Sequence, residues 1–132
     1  MASAMYNHHR EEALSAVASG TLKMFAVTSD YTFDVAHTSI NDVAAGVRIH
    51  TSRQLTSVTV TNGVLDAEDT TLTAVATASA IAAFIVYTEA GSSASSTLHV
   101  YIDQATSGLP VTPNGGNIIV QFDSGANKIY KL

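Results

Sequence analysis

The residue types that carry most protein chemistry all occur in this chain except cysteine, and their spacings show which chemistry is open to it. Five histidines are present, at His8, His9, His37, His50 and His99. His8 and His9 are adjacent, so their side chains diverge whether the backbone is helical or extended. No His-X-His, His-X-X-X-His or His-Glu-X-X-His spacing occurs, so a metal would have to be bridged by histidines from distant parts of the chain. Asp66, Glu68 and Asp69 form the densest acidic cluster. Alternating carboxylates can hold a hard cation, but the turn glycine and closing glutamate of a calcium loop are missing, and the segment reads as a solvated turn. Gly91-Ser92-Ser93-Ala94 starts like a nucleophile elbow and lacks its second glycine. Gly115-Gly116 precedes a strand pattern, whereas phosphate loops open a helix. The scattered acids Asp30, Asp34 and Asp103 would need a defined separation to hydrolyse a glycoside, and sequence sets none. The five tyrosines, Tyr6, Tyr31, Tyr87, Tyr101 and Tyr130, could stack sugars if exposed, although half-buried tyrosines in a small β-domain are the simpler reading. We therefore assign no catalytic residue, no cofactor site and no metal ligand, and expect a protein that is not an enzyme and has no small-molecule substrate.

Composition narrows the classes further. The chain has 132 residues, enough for one domain, and 46% are hydrophobic, enough to bury a core. The absence of cysteine excludes disulfides, iron–sulfur clusters and thiol catalysis. Only 13% of residues are charged, against about 25% in ordinary soluble domains. The net charge of −5 argues against direct nucleic-acid binding and against an anionic membrane surface. So low a charge density fits either a threonine-coated polar exterior or an exterior that faces protein, where charges are depleted. The segment Met1–Arg10 has no apolar stretch of the signal-peptide kind. The longest apolar run, Ala80–Tyr87, is far shorter than the ~20 residues of a membrane span.

The elements that would position these residues are mostly strands. Residues 7–19 show helical spacing through Arg10, Ala13, Leu14, Val17 and Ala18, with Asn7 as the expected N-cap and Gly20 as a left-handed stop. Glu11 and Glu12 would complement the helix dipole. Thr21–Thr28 and Val47–His50 read as strands, joined by a long connection whose Tyr31, Phe33, Val35, Ile40 and Val43 suggest that it packs down. Asn62-Gly63, between two extended runs, is a type I′ hairpin signal. It predicts the pairs Thr61 with Val64, Val60 with Leu65, Thr59 with Asp66 and Val58 with Ala67. Thr71–Val75 reads as a further strand, and Ile81–Thr88 as a central strand buried on both faces. Thr97–Asp103 is expected to set Leu98, Val100 and Ile102 opposite His99 and Tyr101. Asn117–Asp123 would put Ile118, Val120 and Phe122 on one face, and a turn at Ser124–Asn127 would lead to a closing strand over Lys128–Leu132. The expected fold is mainly β: an antiparallel β-sandwich over residues 21–132, with a jelly roll as one way of connecting it. One short N-terminal helix and a flexible segment, residues 1–6, would precede it.

The order of several blocks resembles a known group. Tyr6-Asn7 in a short helix ending near Gly20 precedes Phe25–Thr32, then Leu65–Asp69, Phe84–Gly91, Leu98–Asp103 and Gly115–Phe122. This order resembles the small virion structural proteins of tailed bacteriophages. The resemblance implies a structural role, for which size, acidity and β content best match a capsid decoration (cement) protein. Such a protein is made in the host cytoplasm, sits on the capsid surface of the virion, binds the major capsid protein and self-associates. A neck or tail component is the alternative within that class, and a glycan-binding β-sandwich module is the alternative outside it. The segment Met1, Ala2, Ser3, Ala4, Met5 and Tyr6, too short to fold alone, is the candidate partner-binding stretch.

Overall fold

The two apolar runs around Phe25 and Phe84 become the central strands of a four-stranded antiparallel sheet. The computed structural model describes residues 4–75, 80–92, 94–103, 111–120 and 129–131, with backbone alone at 50–52 and 130–131. Strand β1 (Leu22–Thr28) pairs with β2 (Arg48–Gln54) on one side and with β6 (Ile81–Thr88) on the other. Strand β7 (Thr97–Ile102) adds to β6, giving the order β2-β1-β6-β7. Two smaller antiparallel sheets complete the described strands. One has the order β3-β4-β9, from β3 (Thr59–Thr61), β4 (Val64–Asp66) and β9 (Tyr130–Lys131). The other pairs β5 (Thr70–Leu72) with β8 (Ile118–Val120). The fold is mainly β, built of antiparallel sheets with one α-helix, α1 (Asn7–Ala18). Phe122, Asp123 and the turn expected at Ser124–Asn127 lie outside the described residues.

Alternation along β1 and β6 produces two cores, one on each face of the large sheet. Leu22, Met24, Ala26, Phe84 and Val86 face the first, which Leu14 of α1, Leu65 and Ala67 beside the hairpin, and Leu72 and Val75 close from the far side. Phe25, Val27, Ala83, Ile85 and Tyr87 face the second, which is covered by Ile40 and Val43 of the connection between β1 and β2. Each large apolar side chain so buried contributes roughly 1.5–3 kcal/mol. Tyr87, 1% exposed, packs edge-on to Phe25 at 5.5 Å. Burial, reinforced by the neighbouring carboxylate of Glu89, pushes its phenol pKa up to about 12.

The hairpin forms with the expected turn and register. Asn62 and Gly63 both have positive φ, and β3 pairs with β4 through Thr59–Asp66, Val60–Leu65 and Thr61–Val64; the fourth expected pair, Val58 with Ala67, lies beyond the ends of both strands. The helix differs at both ends. Tyr6, not Asn7, is the extended residue before the first turn, and the Asn7 side chain accepts a hydrogen bond from Arg10 Nη1 at 3.2 Å. Glu11 lies beyond the first turn, and its carboxylate accepts the Asn62 N–H at 2.7 Å, tying α1 to the hairpin tip. Gly20 is not left-handed. A Cβ there would come within 2.9 Å of Thr88 Cγ2, so close packing against β6 is what requires glycine.

Strand β7 also corrects the expected alternation. Val86 pairs with Val100 and Tyr87 with Leu98, so β7 carries His99 as an extra residue. A bulge of this kind turns everything beyond it by one position. Leu98 and Tyr101 therefore pack on the second core, while Val100 and Ile102 pack on the first.

Candidate functional site

Two surfaces stand out among the described residues. The first is the segment before α1, where the partner-binding candidates lie. Ala4, Met5 and Tyr6 are exposed and outside regular structure, with Tyr6 extended. Tyr6 is 86% exposed and Met5 43%, well beyond the usual position of large apolar side chains. The Tyr6 carbonyl still accepts the Arg10 N–H at 3.2 Å, so backbone order begins there while the side chains project away. Met1, Ala2 and Ser3 lie outside the described residues.

The second surface was not picked out from the sequence as a site. The connection between β1 and β2 crosses the second core and makes a tight turn beside β7. Asp34 builds that turn: its Oδ1 accepts the Ala36 N–H at 2.8 Å and its carbonyl the His37 N–H at 3.0 Å. The Tyr31 hydroxyl and His37 Nδ1 share a hydrogen bond of 2.9 Å across the loop. Farther along, Asp42 Oδ2 accepts the backbone N–H groups of Thr38 and Ser39 at 2.8 and 3.1 Å, and these bonds hold its carboxyl below its ordinary pKa. Arg48 Nε donates to the Val43 carbonyl at 2.8 Å. The loop is thus fixed by polar bonds at both ends, and Leu98 N–H to Thr38 O joins it to the start of β7.

Between this turn and β7 lies a cleft of about 240 Å³. One wall is aromatic. Phe33 stacks on Tyr101 with centroids 4.8 Å apart and planes 15° apart, and Tyr31 leans on Tyr101 at 5.9 Å. Burial raises the pKa of both tyrosines. Phe33 remains half exposed and Val35 is 87% exposed. Sequence alternation could not reveal the cleft, because Tyr101 reaches this face only through the bulge at His99.

The other chemistry-bearing residues do not converge. His8 pairs with Glu12 one helical turn away at 2.9 Å, His37 with Tyr31, and His99 Nε2 with Thr88 Oγ1 at 2.6 Å. Glu68 accepts from Thr56 Oγ1 at 3.1 Å. In the loop after β6, the Ser92 and Ser95 hydroxyls bond each other at 2.6 Å, and Ser96 Oγ donates to the Ser92 carbonyl at 2.8 Å, which shapes the turn. Among the described residues, no group of three or more His, Asp or Glu is arranged to hold a metal ion, and no helix is long and apolar enough to cross a membrane. In comparison with known proteins, the chain matches no family model and no curated protein.

Proposed function

We propose that this chain is a non-enzymatic structural protein of a tailed-bacteriophage virion, bound to the outside of the capsid and bridging major capsid proteins. The order of sequence blocks supports the virion assignment. The observation that supports attachment through protein contacts is the exposed Met5-Tyr6 pair at the entrance to α1. Two large apolar side chains that their own domain leaves in water gain free energy when a partner covers them, by roughly 25 cal/mol per Å² of apolar surface. The low charge density fits the same mode, since interface centres are poor in charged residues. Many weak contacts repeated over a closed shell then add up through multivalency.

Replacing both side chains, Met5→Ser with Tyr6→Ser, tests this without disturbing the backbone cap. The variant should fold as the wild type does by circular dichroism and show reduced occupancy on purified virions. Undiminished occupancy removes the segment from the binding surface. Absence of the wild-type protein from virions overturns the assignment, and a stoichiometry of a single ring instead of the whole shell moves it to the neck or tail.

A further inference from the structure

We propose that the cleft between the Asp34–His37 turn and β7 binds one neutral sugar ring, stacked on Phe33, which Tyr101 backs from behind. This inference does not depend on the virion assignment, because it rests on the cleft alone.

Size is the first argument. At about 240 Å³ the cleft lies below the roughly 300–1,000 Å³ typical of sites for drug-sized ligands and cofactors. It suits one ring protruding from a larger molecule. The wall geometry is the second. Tyr101 touches both other rings: Phe33 lies face to face on it with centroids 4.8 Å apart, and Tyr31 leans on it at 5.9 Å. Stacked rings leave no gap in which a cation could be enclosed, so the outer face of half-exposed Phe33 is a platform and not one wall of a cage. A platform takes a ligand with a flat apolar face.

The third argument is the polar rim. Asp34 Oδ1 accepts the Ala36 N–H, which orients the carboxylate at the cleft rim, where it can also accept from a ligand hydroxyl. Tyr31 and His37, locked to each other, add a hydroxyl and a ring nitrogen at fixed positions beside it. An apolar face bordered by fixed acceptors and donors matches a pyranose, which carries C–H groups on its faces and hydroxyls around its edge. Charge is the fourth. The described lining contains Asp34 and no Lys or Arg, in a chain of net charge −5, so phosphorylated and carboxylated sugars are disfavoured. Finally, the polar bonds that fix the loop and the stack on Tyr101 place Phe33 before any ligand arrives, so binding does not have to order it.

Titrating the isolated protein with methyl glycosides of neutral hexoses, followed by amide NMR shifts, tests the site. At least one glycoside should shift residues 31–37 and 98–101. Phe33→Ala should weaken that binding about tenfold, in keeping with the worth of an aromatic stack. Asp34→Asn, which keeps an oxygen for the Ala36 N–H, should weaken it while leaving the turn intact, and Phe33→Trp should preserve it. The proposal fails if no neutral glycoside binds at millimolar concentration, if shifts map elsewhere, or if sialylated or phosphorylated sugars bind equally well. It also fails if no glycoside binds and Phe33→Ala lowers virion occupancy, because the cleft then receives a protein side chain.

Discussion

His99 is the extra residue of β7, half-buried, with its Nε2 2.6 Å from Thr88 Oγ1. Burial holds its pKa below the ordinary histidine value. The unfolded chain takes up a proton near pH 6.5 that the native protein still refuses, so stability rises with pH between the lowered native pKa and about 6.5. Above that window this residue adds no pH dependence. The expected outcome is a melting temperature that falls as pH drops from 7 to 5, and a shallower fall in His99→Gln, which keeps a polar partner for Thr88. Equal slopes in the two proteins would show that another group titrates. Asp42 acts in a separate range. Its carboxyl is held low by the Thr38 and Ser39 N–H groups, so what it contributes is lost only as pH falls through that lowered value, below about 4.

At the scale of elements, the turn and register of the hairpin over β3 and β4 were legible in sequence, because Asn-Gly fixes both and the apolar residues agree with it, while its length was not: the ladder stops one pair short of Val58 and Ala67. The bulge in β7 was not legible. Thr97–Ile102 alternates cleanly as written, and only pairing with β6 shows that His99 is unpaired. The same limit applies to Gly20, where the signal is a neighbour in β6 and not a local conformation. Gly63 allows a sharp comparison. It has φ +80, and a Cβ there would lie 2.7 Å from Arg10 Cβ, an atom fixed by the helix backbone. Gly91 has φ +88 with nothing within 4 Å of the added atom. Gly91→Ala should therefore cost only the backbone term, about 1–2 kcal/mol. Gly63→Ala should cost that plus about 1–3 kcal/mol of overpacking. Urea denaturation of both variants measures the difference, and equal costs would mean that α1 yields to the intruding methyl.

For the whole molecule, the layering followed from sequence wherever a strand was apolar on both faces, as in Ile81–Thr88. Coverage of the second core followed only in outline. Tyr31, Phe33, Val35, Ile40 and Val43 signalled that the long connection packs down; Ile40, Val43 and Tyr31 do, whereas Phe33 stays half exposed and Val35 stands in solvent, because the cleft beside β7 comes from one turn and one bulge meeting, and neither is a periodic feature. Tyr6 departs from the half-buried setting expected of the tyrosines: it precedes the first helical turn and stands 86% exposed.

The pairing of β1 with β6 sets a timetable. Leu22 meets Thr88 across the middle of the large sheet, and Leu65 meets Tyr130 in the small one, so the central pairings join segments made far apart in time. On the ribosome, β1 emerges long before the strand that will cover its flank, and its apolar faces must wait. Free chains meet the same obstacle, because large loops must close before those contacts repay the lost entropy. Stopped-flow refolding from urea should accordingly proceed in milliseconds to seconds, the range of β proteins dominated by distant pairings. Microsecond refolding would mean that local pieces, the Asn62-Gly63 hairpin and α1, had already gathered the chain before β1 and β6 met.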